Sequence, residues 1–219
     1  MVGFYNYTVW LTFLSLISGT TGITLCFMMP DKPLFAILCL LFSGLCDTFD
    51  GKVARTKKDR TSSEKSFGIQ IDSLVDLVCF GVLPACILIT LALNTFEKNI
   101  AYCFIPLAVM FVLFGMIRLA YFNVLELERQ AVETSPTNKY FLGVPITMSS
   151  IIMPLAFVAG NVFRDHKYVP FIIYASFLLI LGLAFVIKVK IPKFRKKGII
   201  VLVAIGIVAL VGLILLEIL

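Results

Sequence analysis

The sequence predicts an all-α polytopic membrane protein. Three observations carry that reading. Hydrophobic residues make up 60% of the 219 and charged residues only 15%, with a mean hydropathy of +1.01, whereas a soluble domain is about 45–50% apolar. The apolar residues fall into seven runs, at 7–29, 33–55, 69–93, 100–125, 143–162, 168–188 and 199–218, each near the roughly 20 residues a membrane-spanning helix needs. The breaks between them hold turn formers such as Pro30-Asp31-Lys32-Pro33 and Ser135-Pro136-Thr137-Asn138. In lipid every backbone polar group must find its partner within the segment, so uninterrupted runs of this length are helices. One membrane-embedded bundle, residues 1–219, is expected.

The first run carries Thr8, Thr12, Ser15, Ser18, Gly19, Thr20, Thr21 and Gly22. Small residues let helices approach closely, so this span is read as a packing helix or as a wall of a substrate groove. The second and third runs are joined by a short basic stretch, residues 56–67, and each carries two carboxylates near that junction: Asp47 and Asp50, then Asp72 and Asp76. The fourth run contains Arg118 and Asn123 toward its end. Arginine within a span normally faces a partner or a cavity, so Arg118 is expected to pair with one of the aspartates or to hold an anionic substrate group. Gly143 and Pro145 open the fifth run, as entry punctuation or as a pocket floor. The loop after the sixth run, KVKIPKFRKK, is the densest basic stretch and suits a topogenic loop that attracts anionic headgroups. The seventh run is aliphatic apart from Glu217 and is expected to be an accessory helix at the periphery.

Charge placement gives the orientation. Segments 52–65, 129–139 and 188–197 hold most of the 19 Lys and Arg residues, while Lys32, Lys98, Arg164 and Lys167 lie on the other side. The rich side is the cytoplasmic one, so the net charge of +6 reflects topology rather than nucleic-acid binding. The N-terminus is then inside, and the four aspartates face the cytoplasm. The six cysteines lie in apolar runs without a CxxC spacing and read as packing residues. With His166 the only histidine, a histidine-based metal site is excluded. The first ten residues contain no Lys or Arg and do not read as a cleaved signal peptide.

Asp47, Asp50, Gly51, Ala54 and Arg55 fall at i, i+3, i+4, i+7 and i+8, one stripe of a helix; Gly68, Asp72 and Asp76 repeat at steps of four on the next. A hairpin, about residues 33–93, would bring the four carboxylates together. Their mutual repulsion then calls for hard divalent ions with oxygen ligands. Gly51, Ala54 and Gly68 leave space beside them, and the forked donors of Arg55 suit phosphate. Two ions about 3.5–4 Å apart can stabilise a displacement at phosphorus, with a carboxylate as general base. Asp76, farthest from the loop, is the candidate base. A cation transporter is the rival of a different class, since intramembrane carboxylates also line ion pathways.

The pattern Asp47-x2-Asp50-Gly51-x2-Ala54-Arg55, followed by Gly68-x3-Asp72-x3-Asp76, resembles the signature of the CDP-alcohol phosphotransferase family. The twelve residues 56–67 between Arg55 and Gly68 are more than that signature usually has. The resemblance implies a six-helix core, here with about seven transmembrane helices in all, and a homodimer. It implies that Asp47, Asp50, Asp72 and Asp76 bind Mg²⁺ or Mn²⁺, that Asp76 is also the base, and that Gly51, Ala54 and Arg55 lie near the nucleotide. The implied reaction is attack of an alcohol on a CDP-linked lipid with loss of CMP. The runs Asp72-Ser73-Leu74-x-Asp76-x3-Phe80-Gly81-x2-Pro84-Ala85, Arg118-Leu119-Ala120-x-Phe122-Asn123 and Phe141-x-Gly143-x-Pro145 are similar to the family's phosphatidylserine-synthase branch. That implies CDP-diacylglycerol and L-serine as substrates, with Arg118 on the serine carboxylate or a phosphate. Glycerol-3-phosphate or inositol phosphate are the alternative acceptors, for which Arg118, Lys57 and Lys58 could supply the positive charge. A prokaryotic plasma membrane is the expected location.

Overall fold

The computed structural model describes residues 3–4, 7–54, 56–57, 59, 61–131, 140–163, 165–188, 190–192 and 211–212. The expected seventh span, 199–218, therefore lies outside the described residues except at 211–212.

Helix α1 (Trp10–Met28) buries Thr12, Ser15, Gly19, Gly22 and Cys26, a stripe at alternating steps of three and four that faces α2 (Pro33–Ala54) and the third span, with Gly19 against Cys79 and Gly22 against Cys39 and Leu83. Hydroxyls on this seam need acceptors once water is gone. Ser15 Oγ donates to the Ser43 carbonyl at 3.3 Å, Ser43 Oγ returns a bond to the Ser15 carbonyl at 3.0 Å, and Ser18 Oγ donates to the Cys39 carbonyl at 2.9 Å. The small-residue stripe is a packing seam.

The third span is one helical rod from Ser62 to Thr95. It consists of α3 (Ser62–Asp76), a π-helical turn at Leu77–Val82 and α4 (Leu83–Thr95). Pro84 explains the wide turn. It has no N–H to give, and in a regular helix its ring would meet the carbonyl four residues back. Instead Leu83 N–H donates to Val78, five residues back. At ~1.5 Å per residue, 34 residues extend about 51 Å, well beyond a ~30 Å hydrocarbon core. The rod is the central element: 67% of its apolar stretch is buried, against 22–33% for the other four long spans.

The short α5 (Lys98–Tyr102) leads into α6 (Ile105–Ala131). A hairpin of α7 (Ser149–Val162) and α8 (Val169–Val186) completes the described bundle. At the end away from the α2–α3 connection, Phe96, Phe104, Tyr168 and Phe171 form an aromatic cluster of stacked and edge-on rings with centroids 4.5–5.6 Å apart. Among the described residues five helices are long and apolar enough to cross a membrane, and Ile146–Val162 is a shorter apolar helix. The protein is an integral membrane protein of all-α architecture.

Three local differences from the sequence reading have physical reasons. The third helix starts at Ser62, not near 69, because Thr61 and Glu64 form a reciprocal capping box: Glu64 N–H donates to Thr61 Oγ1 at 3.2 Å and Thr61 N–H to Glu64 Oε2 at 2.9 Å. Half of the supposed 56–67 loop is thus helix. A two-stranded ribbon interrupts the helices, β1 (Tyr140–Leu142) against β2 (Lys190–Pro192), antiparallel with Phe141 opposite Ile191. It ties together the two chain ends of the α7–α8 hairpin. Between β1 and α7, Gly143 has φ +75°, a conformation glycine adopts without the steric cost a Cβ imposes.

Candidate metal-carboxylate site

Asp47 and Asp50 project from the last turns of α2, and Asp72 and Asp76 from the last turns of α3. Ligand oxygens of Asp47, Asp50 and Asp72 all lie within 4.8 Å of one another. Asp76 is within hydrogen-bonding reach of Asp47, and Asp72 of Asp50. Asp76 and Asp50 are buried, at 8% and 9% exposure; Asp47 and Asp72 are half-buried. The spacing expected of a helical hairpin is realised, and all four carboxyl groups meet.

Two unit charges ~4 Å apart repel by about 4 kcal/mol at an effective dielectric near 20. A converging quartet of carboxylates is therefore a poor structural device without compensating positive charge. Its donor set is all oxygen, which suits hard divalent cations rather than the thiolate- or imidazole-preferring metals. The residues present fit a divalent-metal site. Thr12 on α1 donates its hydroxyl to Asp50 Oδ2 at 3.4 Å, a supporting contact that the sequence reading missed. Its only signal was a polar residue on the small-residue stripe.

Gly51 and Ala54 lie one turn beyond Asp47 and Asp50, and Gly68 one turn before Asp72; all three are half-buried. Arg55 lies outside the described residues, as do Lys58 and Arg60. Lys57 is engaged in an ion pair with Glu64, 2.9 Å. This closes the short connection between the two carboxylate-bearing helices and gives Lys57 a partner of its own.

Arg118 stands elsewhere. It is 7% exposed, and its guanidinium donates to the carbonyls of Gly143 at 3.2 Å and Phe185 at 3.4 Å. It also lies over the Phe122 ring at 5.2 Å. Phe185 is in the last turn of α8, where carbonyls lack helical donors and a cation is favoured. Arg118 is thus a tether between α6, the Gly143 turn and the end of α8. Two of its donors thus go to backbone carbonyls, which no residue type in the sequence announces. Nearby on α6, Asn123 Oδ1 accepts a bond from Ser73 Oγ at 2.8 Å. Ser73 sits between Asp72 and Asp76, so this contact borders the carboxylates. His166 lies at the far end, between α7 and α8.

A model of the CDP-alcohol phosphatidyltransferases matches residues 5–188. The chain belongs to that family. Among curated proteins, a CDP-diacylglycerol–serine O-phosphatidyltransferase of Helicobacter pylori is 31% identical over 165 residues, covering 74% of this chain and 63% of its own. The protein of the same description from Methanocaldococcus jannaschii is 30% identical over 205 residues, 93% of this chain and 83% of its own. That from Saccharomyces cerevisiae is 31% identical over 201 residues, 84% and 69% respectively. The chain thus matches under two thirds of the Helicobacter relative's length. Within the CDP-alcohol phosphatidyltransferases, the quartet on α2 and α3 is the part of this chain whose chemistry the family name leads one to seek.

Proposed function

We propose that this protein transfers a phosphatidyl group from CDP-diacylglycerol to the hydroxyl of L-serine, giving phosphatidylserine and CMP. The observation that carries the proposal is the convergence of Asp47, Asp50 and Asp72 within 4.8 Å, with Asp76 adjoining, in a chain whose relatives bear the name of that activity.

In this reading the four aspartates hold two Mg²⁺ or Mn²⁺ ions. When bound, such ions supply charge stabilisation at the oxygens of the pyrophosphate and of the departing phosphate. Asp76, which like Asp50 is buried and which adjoins the π-turn, takes the proton of the serine hydroxyl. The serine oxygen forms its bond to the lipid-side phosphorus, and the bond from that phosphorus to the CMP oxygen breaks, CMP leaving with the electron pair. Gly51, Ala54 and Gly68 give the nucleotide room to lie against α2 and α3, and Arg55 contributes guanidinium donors to phosphate. Arg118 serves by holding the Gly143 turn and α8 in register rather than by binding the acceptor. The catalytic hairpin faces the cytoplasm of a prokaryotic plasma membrane, where serine arrives from solution and the lipid tails enter between helices. The working unit is a homodimer.

The pairing of Lys57 with Glu64 weighs against more anionic acceptors, because one of the cations they would need is already neutralised. The grouping of the carboxylates at one end of α2 and α3 weighs against a transmembrane cation path. The test is CMP release by the detergent-purified protein with CDP-diacylglycerol and Mg²⁺ or Mn²⁺, supplying L-serine, glycerol-3-phosphate and inositol phosphate one at a time. Release with serine alone is expected. Release with another alcohol alone would overturn the acceptor while keeping the chemistry. No release with any acceptor from folded, metal-loaded protein would overturn the enzymatic reading.

A further inference from the structure

Helix α3 carries half of the carboxylate site, yet its burial is concentrated at one end, with an edge contact of Phe67 on Phe4 near the other. Of its fifteen residues only Val75 and Asp76 are buried. Asp72 lies a full turn before Asp76, beyond the well-packed end. α3 continues through the π-turn into the buried α4, so its end is fixed, but a twist that grows toward Ser62 remains open to it, and neighbouring side chains point about 100° apart. A twist of a fraction of that angle turns the Asp72 carboxylate away from Asp47 and Asp50.

The contact that opposes this twist beside Asp72 comes from α6. Asn123 accepts a 2.8 Å hydrogen bond from Ser73 Oγ through Oδ1, and through Nδ2 it donates to Gln70 Oε1 at 3.5 Å. Gln70 and Ser73 are three residues apart, on one flank of α3, and they bracket Asp72. A single amide therefore contacts α3 on both sides of Asp72, tightly at Ser73 and at the long limit of a hydrogen bond at Gln70. Neither Gln70 nor Ser73 belongs to the quartet, and Asn123 lies on a different helix. We propose that Asn123 is a positioning residue for the metal site, fixing the rotation of α3 so that Asp72 stays within reach of Asp47 and Asp50. The inference rests on the metal-site reading above.

Groups that orient metal ligands typically change metal affinity by about 10–100-fold when removed. Acting through a helix rather than on the ligand itself, Asn123→Ala is expected to weaken Mn²⁺ binding by about three- to tenfold. The experiment titrates Mn²⁺ into the detergent-purified full chain and follows free Mn²⁺ by electron paramagnetic resonance, with thermal unfolding measured on the same samples. Ser73→Ala is expected to weaken binding to a similar degree, and the double variant no further than either single one. Ser73→Thr, which keeps the hydroxyl, is expected to restore wild-type affinity. If Asn123→Ala does not fold, the Ser73→Ala and Ser73→Thr pair carries the same test. Unchanged Mn²⁺ affinity in folded Asn123→Ala and Ser73→Ala, or losses that multiply in the double variant, would overturn the positioning role and leave the metal site standing. Failure of the wild-type protein to take up Mn²⁺ would overturn the metal-site reading and this inference with it.

Discussion

Arg118→Ala separates two roles that a membrane-embedded arginine can have. As a tether, its guanidinium supplies two hydrogen bonds, 3.2 and 3.4 Å, and a cation–π contact at 5.2 Å. Buried hydrogen bonds of this kind contribute about 0.6–1.7 kcal/mol each within a membrane. The ring contact adds about 0.5–1 kcal/mol. The sum is about 2–4 kcal/mol, which for a chain of this size corresponds to a fall in Tm of about 5–15 °C. Gly143→Ala gives an independent route to the same loss. At φ +75° a Cβ is strained, and it would meet Arg118 Nη1, pushing the guanidinium off its carbonyls. The assay is thermal unfolding in detergent, alongside kcat and the KM for serine. Both variants are expected to lower Tm and kcat together while the serine KM moves by less than about threefold. An Arg118→Ala protein with unchanged Tm and a serine KM raised more than about tenfold would refute the tether and make the guanidinium an acceptor-binding group.

Asp76→Asn is expected to lower turnover by about 10²–10⁴-fold, the usual contribution of a general base, with less loss of CDP-lipid binding than Asp47→Asn; equal binding losses, measured by equilibrium dialysis with labelled lipid, would argue against a separate base role. Gly19→Ala places a methyl against Cys79 Sγ and 3.3 Å from Cys79 Cα, in the π-turn that follows Asp76. Overpacking of about 1–3 kcal/mol should outweigh the better helix propensity of Ala, lowering Tm and activity, and a more stable, fully active variant would contradict the close approach of α1 to that turn. Thr61→Ala removes the side-chain half of the capping box and should cost about 1 kcal/mol, read as faster amide hydrogen exchange at residues 62–65 with little change in the exchange of α4.

The sequence announced the carboxylate quartet because helical spacing is a local property: Asp47/Asp50 and Asp72/Asp76 share faces whatever surrounds them. The small-residue stripe of α1 was legible for the same reason, and so was the capping box Thr61-x2-Glu64, had it been used to place the start of α3. Features resting on backbone atoms or on distant pairing were not. The carbonyls that hold Arg118 belong to residues of no particular type. The ribbon joins Tyr140 to Pro192 across some fifty residues, and nothing local in either strand names the other. Pro84 was in view, but a proline inside a long apolar run marks a disturbance without saying whether the helix breaks, kinks or widens into a π-turn.

The two halves of the site differ in how firmly the fold holds them. Asp47 and Asp50 ride on α2, which α1 grips through the reciprocal Ser15–Ser43 bonds and the Thr12 contact to Asp50. Asp72 rides on a helix with two buried residues, steadied by the Asn123 amide. Four carboxylates that repel one another push on the weaker mount first. Without bound cations the strain therefore falls more on α3 than on α2, as a small twist of its more exposed part, Ser62 to Asp72. With cations bound, the same carboxylates draw α3 onto α2. Metal should accordingly protect the amides of α3 from hydrogen exchange more than those of α2, and equal protection of the two helices would mean that the site is rigid on both sides before any ion arrives.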